Sequence, residues 1–189
     1  QDTAHNANTS APVVNSSIMD QQIISGRKNS PEQITKPYVI LISADGFRAD
    51  FTELYEAKKL QALSTSGVRG KYMIPSYPSV TFPNHYSIVT GLYPSHHGLV
   101  DNSYIDVASG AFYNMGNKKM VAEGKWYGGT PLWVLAEQQK MISASFYWVG
   151  SEADIQGIKP TYHYIYNEKI DIATRIKAVK DWLSLPEDK

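Results

Sequence analysis

Pro37-Tyr38-Val39-Ile40-Leu41-Ile42-Ser43-Ala44-Asp45-Gly46 is the stretch on which the fold turns. Residues 38–43 form a continuous β-prone run, the pattern of a strand covered on both faces of a parallel sheet. Asp45-Gly46 closes the run, so a carboxylate falls at the carboxyl end of that strand, where open α/β sheets gather their ligands. Downstream, Leu54, Ala57, Leu60 and Ala62-Leu63 share one side of a helix expected over about 53–65, with Gly67 as its stop. Residues 68–74 read as a second strand, and Pro75, Pro78 and Pro83 mark a rigid loop after it. A short helix over 84–90 follows, with Pro83 in its first turn and Gly91 past its end. Residues 103–114 suit a hairpin turning at Ser109-Gly110. Thr130-Pro131 opens a helix to about 139, and a strand is expected over 142–149. The last helix spans about 169–183, with Ile172, Ile176, Val179 and Leu183 spaced for burial. Strands alternating with helices define an α/β domain over residues 36–189, its sheet mostly parallel and flanked by helices.

Upstream of Pro37 the pattern stops. Residues 1–35 are rich in Asn, Ser, Thr and Gln, with apolar stretches as brief as Ile23-Ile24. They read as a disordered tail or tether, because they bury too little to offset ordering entropy. Two glycosylation-type triplets, Asn8-Thr9-Ser10 and Asn15-Ser16-Ser17, are expected as coincidences of that composition.

Composition narrows the chemistry. Eighteen basic and eighteen acidic residues cancel, so no broad basic field exists to hold a nucleic-acid polymer. A phosphate ester would have to be bound by local groups or metals. The chain has no cysteine, which excludes disulfides, thiolate metal sites and a cysteine nucleophile. No apolar run approaches the ~20 residues of a membrane span. The Gln-Asp start, with neither Met nor a signal-peptide pattern, is expected to be a processed end, and the protein periplasmic or extracellular.

Two residues stand where chemistry is possible. Asp45 follows a buried strand and is either a turn residue bonding its own backbone or a metal ligand or acid/base. Thr81 lies in Pro78-Ser79-Val80-Thr81-Phe82-Pro83-Asn84-His85, just before a helix. It suits an N-cap, but the same position gathers unpaired N–H groups that bind phosphoryl oxygens and favour an alkoxide. An alcohol needs activation, and with no Cys and few His nearby a metal is the plausible source.

Longer blocks carry a family resemblance. Ser43-Ala44-Asp45-Gly46-Phe47-Arg48, the gapless run from Thr81 to Gly98, Asp101-Asn102, Gly128-Gly129-Thr130-Pro131-Leu132-Trp133 and Tyr147-Trp148-Val149-Gly150-Ser151-Glu152 occur in this order. Over about residues 36–185 the chain resembles the N-terminal part of the nucleotide pyrophosphatase/phosphodiesterase family of the alkaline phosphatase superfamily. The resemblance implies an alkaline-phosphatase-like fold, incomplete at its C-terminal end. It also implies a two-zinc enzyme that hydrolyses phosphodiester or pyrophosphate bonds of small nucleotide substrates. Asp45 and Thr81 would bind one zinc, Thr81 would be the nucleophile, Asn102 would donate to a phosphate oxygen, and Phe82 would stack on a base or simply pack its loop. His85 is expected to make a structural hydrogen bond, and adjacent His96 and His97 not to be ligands.

The family's remaining zinc ligands, two Asp and three His, have no counterpart after Tyr162, where His163 stands isolated. The expectation is a fragment of a longer enzyme or one piece of a cleaved one, with the C-terminal segment as a second chain and residues 1–189 inactive alone. The rivals are a phosphomonoesterase or sulfatase of the same superfamily, a lipid head-group phosphodiesterase, and a non-catalytic binding protein. Thr81-Phe82-Pro83-Asn84 lacks the sulfatase pattern, and neither Arg48 nor Arg69 lies in the nucleophile block as a monoesterase arginine would.

Overall fold

The computed structural model describes residues 19–189. Its first element, β1 (Gln21–Ile23), lies in the segment expected as a tether, and α1 (Pro31–Ile34) follows. Residues 19–35 are therefore integrated into the fold, whereas the two glycosylation-type triplets lie outside the described residues. The reason is long-range: β1 pairs antiparallel with β5, Gln21 opposite Tyr164, and Arg27 donates to the Lys159 carbonyl at 2.7 Å.

The expected helix over 53–65 is broken in two, α2 (Phe51–Leu54) and α3 (Lys58–Ser66), with Glu56 between them at φ 46°. Beyond Gly67 the chain reaches α4 (Thr81–Thr90), which ends as read, with Gly91 left-handed at φ 69° and its N–H returned to the Ser87 carbonyl. Only a residue free of Cβ strain takes that conformation cheaply. A single turn, α5 (Pro94–His97), leads into the hairpin of β2 (Ser103–Ile105) and β3 (Phe112–Asn114), paired Ser103 to Asn114 and Ile105 to Phe112. Its loop is built by Asp106, whose carboxylate accepts from the Ala108 and Ser109 N–H groups and the Ser109 hydroxyl. Then come α6 (Lys118–Val121), a 3-10 turn (Gly124–Trp126), α7 (Leu132–Gln138), β4 (Ala144–Phe146), β5 (Tyr162–Tyr164) and α8 (Ile172–Trp182). The expected strand over 142–149 thus contracts to three residues.

The core gathers around α4. Tyr86 and Val89, three residues apart on one face, are buried together with Leu99, Tyr113, Trp126, Tyr127, Trp133 and Val134. The Tyr86 ring meets Tyr127 edge-on at 5.3 Å, and Tyr113 lies 5.3 Å from Trp126, the offset geometry aromatic quadrupoles favour. Burial pushes the Tyr86 and Tyr127 hydroxyls well above the ordinary phenol range, and that of Tyr113 up to about 12.

The sheet departs from the mostly parallel expectation. Central β5 is antiparallel to β1 and parallel to β4. Neither residues 38–43 nor 68–74 form a strand; Val39 and Ile42 are 90% and 84% exposed, and Val68 fully so. A buried strand needs neighbours for its N–H and C=O groups and covers for both faces, and among the described residues neither run has them. On α8 the apolar stripe is also turned outward. Ile172, Ile176 and Leu183 are exposed, while Ala178 is buried and Trp182 packs against Phe146 and Tyr164 at 6.0 and 5.4 Å. Aromatic side chains on β4 and β5 offer that face more contact than the aliphatic stripe finds elsewhere.

Candidate active site

The loop before α4 is shaped by a residue inside the helix. Asn84 accepts from the Ser76 N–H at 2.8 Å and donates to the carbonyls of Pro78, at 2.9 Å, and Val80, at 3.0 Å. The loop therefore folds back on the first turn and presents Val80 as an extended N-cap at φ −112°, with no side-chain cap. Thr81 becomes the first helical residue. Its hydroxyl is not used as a cap; it donates to Asp45 Oδ2 at 3.0 Å. The structure thus brings together two residues 36 positions apart in sequence.

The capping acceptor comes from a third segment. Asn102 Oδ1 accepts the Phe82 N–H at 2.9 Å, and Asp101 Oδ1 holds the Asn102 N–H. Because Oδ1 is committed to that donor, the Asn102 amide hydrogens are left for another acceptor. Asp45, Thr81 and Asn102 converge on the positive end of a ten-residue helix, where the macrodipole and first-turn N–H groups favour an anion. Phe82 is partly buried, its ring centroid 6.5 Å from that of Tyr113, so loop packing accounts for part of its surface.

The histidines separate cleanly. His97 is buried, with Nδ1 accepting the Leu99 N–H at 3.1 Å and Nε2 facing Ser87 Oγ at 3.0 Å. Desolvation holds its pKa below the ordinary value of 6.5. His163 is buried on β5 and is shifted the same way by burial. His96 is exposed at the surface, beside Ser95. His85 faces the seam between Thr81 and the Asp45 segment, as the expected structural hydrogen-bonder: Nδ1 lies 2.8 Å from the Thr81 carbonyl. Sequence reasoning missed the loop-building role of Asn84; its signal is only that it stands one turn after Val80.

A zinc ion can be tested against these donors. Asp45 and Thr81 offer two oxygens 3.0 Å apart, close enough to share one ion. Catalytic zinc takes about three protein ligands plus water, and among the described residues no group of three or more His, Cys, Asp or Glu side chains could hold a metal. The two oxygens fit part of a zinc site, and its other ligands would have to come from beyond these residues.

The fold and the site define a class before a family. The chain superposes on murine ectonucleotide pyrophosphatase/phosphodiesterase 5, in an inactive threonine-to-alanine variant in complex with AMP, with a TM-score of 0.73 and 25% identity. The match covers 77% of this chain and 39% of the other, and it gives the alkaline-phosphatase-like fold class. Residues 39–189 match the type I phosphodiesterase / nucleotide pyrophosphatase family, and the chain belongs to that family. It is 38% identical over 174 residues to a venom phosphodiesterase of Naja atra, covering 91% of this chain and 21% of that protein. It is 40% identical over 158 residues to ectonucleotide pyrophosphatase/phosphodiesterase family member 1 of Mus musculus, covering 82% and 17%. The chain thus spans about a fifth of these relatives' length.

Proposed function

We propose that, in the complete gene product, this chain supplies the nucleophile side of a two-zinc enzyme that hydrolyses phosphodiester or pyrophosphate bonds of nucleotides. The observation that carries the reading is the 3.0 Å hydrogen bond from Thr81 Oγ1 to Asp45 Oδ2 at the N-terminus of α4. Asp45 and Thr81 would hold one zinc. When bound, zinc lowers the pKa of a coordinated hydroxyl and neutralises phosphate charge.

The steps taken by this chain's own residues follow from their placement. Asp45 orients the Thr81 hydroxyl and accepts its hydrogen bond, the direction in which the proton leaves. The helix end favours the alkoxide and the incoming phosphoryl group. Thr81 Oγ1 attacks phosphorus in line, and its bond to phosphorus forms as the bond to the leaving oxygen breaks. Asn102 donates its amide hydrogens to a non-bridging oxygen, where charge develops. Water then cleaves the P–Oγ1 bond, releasing the nucleoside monophosphate and restoring Thr81. The exposed part of the Phe82 ring offers a face to the base.

Support for a nucleotide substrate comes from the AMP bound by the structural neighbour, and support for Thr81 from that neighbour's inactivation by one threonine-to-alanine change. The relatives' names, ecto-enzymes and venom enzymes, favour a site of action outside the cytoplasm. Among the described residues no helix is long and apolar enough to cross a membrane. The test is hydrolysis of a p-nitrophenyl nucleotide ester by the complete gene product. Thr81→Ala is expected to lower kcat by at least ~10³-fold while Thr81→Ser keeps part of the rate. Near-normal turnover by Thr81→Ala would overturn the covalent mechanism.

A further inference from the structure

Among the described residues, two hydrogen bonds tie the segment 37–75 to the rest of the protein, and both land on α4. One is Thr81 to Asp45. The other joins His85 Nε2 to Ser43 Oγ at 3.0 Å. We propose that His85 is a positioning residue: with Ser43 it forms a clasp that sets the Asp45 carboxylate against Thr81. The proposal rests on the role given above to Asp45 and Thr81, which it deepens.

The tautomer follows from the contacts. The Thr81 carbonyl can only accept, so His85 Nδ1 carries the hydrogen that spans their 2.8 Å separation. Nε2 is then a lone pair, and the Ser43 hydroxyl must donate to it. Both ring nitrogens are committed, which leaves His85 neither as a base toward the substrate nor as a metal ligand. A third side chain braces His85. Trp148 meets it edge-on at 5.8 Å, and Trp148 Nε1 donates to the His85 carbonyl at 3.0 Å. His85 is thus fixed to the core by Trp148, to the nucleophile's own backbone by Nδ1, and to the Asp45 segment by Nε2.

Spacing explains why the clasp works as a register device. Thr81 and His85 stand one helical turn apart, a rise of roughly 5–6 Å. Ser43 and Asp45 are two residues apart, at most roughly 7 Å. The two pairs match, Ser43 on His85 and Asp45 on Thr81. A one-residue slip of the segment would move both side chains off α4 together. Since nothing else among the described residues hydrogen-bonds this segment to the core, the Ser43–His85 bond is its one anchor outside the reacting pair.

The test uses the complete gene product and two readouts, kinetics and crystal structures of metal-free protein, which give the separation of Asp45 Oδ2 from Thr81 Oγ1, 3.0 Å here. Ser43→Ala, which deletes one exposed hydroxyl, is expected to lengthen that separation and to leave the core segment 126–134 in place. It should also lower kcat about three- to tenfold with KM nearly unchanged, the scale of one net hydrogen bond. His85→Ala is expected to do the same more strongly, and adding Ser43→Ala to it should cause little further loss. His85→Gln, whose amide oxygen reaches toward the Nε2 position, should recover part of the loss, whereas the shorter His85→Asn should not. Unchanged separation and kcat in Ser43→Ala, additive losses in the double variant, or His85→Asn matching His85→Gln would each overturn the clasp. If His85→Ala displaces the core segment as well, the Ser43→Ala and His85→Gln arms decide. Full activity in Thr81→Ala would sink the nucleophile reading alone, and the measured separation would still judge the clasp.

Discussion

Two regions with similar β-prone sequence have opposite fates in this chain. In residues 81–165, aromatic and aliphatic side chains interlock around Tyr86 and the short strands find partners. In residues 37–75, equally apolar runs stand exposed, and the hydrogen bonds are mostly within the segment itself. An example is the Arg69–Glu53 pair, in which the guanidinium lowers the Glu53 carboxyl to about 2. The difference teaches that an apolar pattern declares what a segment can bury, while its neighbours decide whether it does so. The candidate site lies on the seam, with Thr81 and Asn102 from the packed region and Asp45 from the other.

The largest effect expected concerns that seam as a whole. Residues 1–189, purified alone, should show no diesterase activity with added zinc and should bind zinc weakly, because two oxygens fall short of a catalytic ligand set. Their exposed apolar runs should promote association. Calorimetric titration with zinc and a p-nitrophenyl ester assay check this, and tight stoichiometric zinc binding would show that the ligand count is wrong. Under the proposed function, a second chain carrying the family's other zinc ligands should restore both properties.

Next in size is Asn102→Ala in the complete gene product, expected to lower kcat by roughly 10²-fold. Thermal unfolding should show the protein still folded. The comparison itself is sharpened by a pair of substitutions in the 189-residue chain. Val134→Ala hollows the buried core and should cost about 1–3 kcal/mol. Ile42→Asp, at an exposed position, should stay within about 0.5 kcal/mol in urea unfolding. Equal costs would mean that residues 38–43 are packed after all.

The smallest effect is one of pH. Buried His97 and His163 both have pKa values below the ordinary 6.5, so the unfolded state takes up their protons first as pH falls. Stability is then full above pH 6.5 and declines below it toward the depressed native values. His97→Gln should flatten the His97 part of that slope in urea midpoints measured from pH 7.5 down to 5.

Local signals were legible. Pro83 in the first turn and Gly91 past the end marked α4, and Ser109-Gly110 marked the hairpin turn. The site blocks, residues 43–48 and 81–102, could be read only through their resemblance to the family, which rests on long and nearly gapless stretches. Partnership was not legible. Gln21–Ile23 carries no strong strand signal, since its place is set by Tyr162–Tyr164, far along the chain. On α8 the regular aliphatic spacing pointed to the wrong face, because Phe146 and Tyr164 draw Trp182 inward. Asn84 was obscure, and so was Ser43 as the second partner of His85, because Ser76, Pro78 and Ser43 lie in loops that no periodicity describes.

The pairing of β1 has a consequence for the order of assembly. Gln21 meets the Tyr164 hydroxyl across 143 positions, and Lys28 reaches Asp188 across 160. Closing loops of that length costs entropy that only an already formed β5 and C-terminal turn can offset. During synthesis the residues of β1 leave the ribosome early yet have no docking place until β5 has followed. Residues 21–23, made before the α4 core, are therefore seated after it, and a nascent chain halted before Tyr162 would hold a formed α4 core beside a β1 segment still open to proteases.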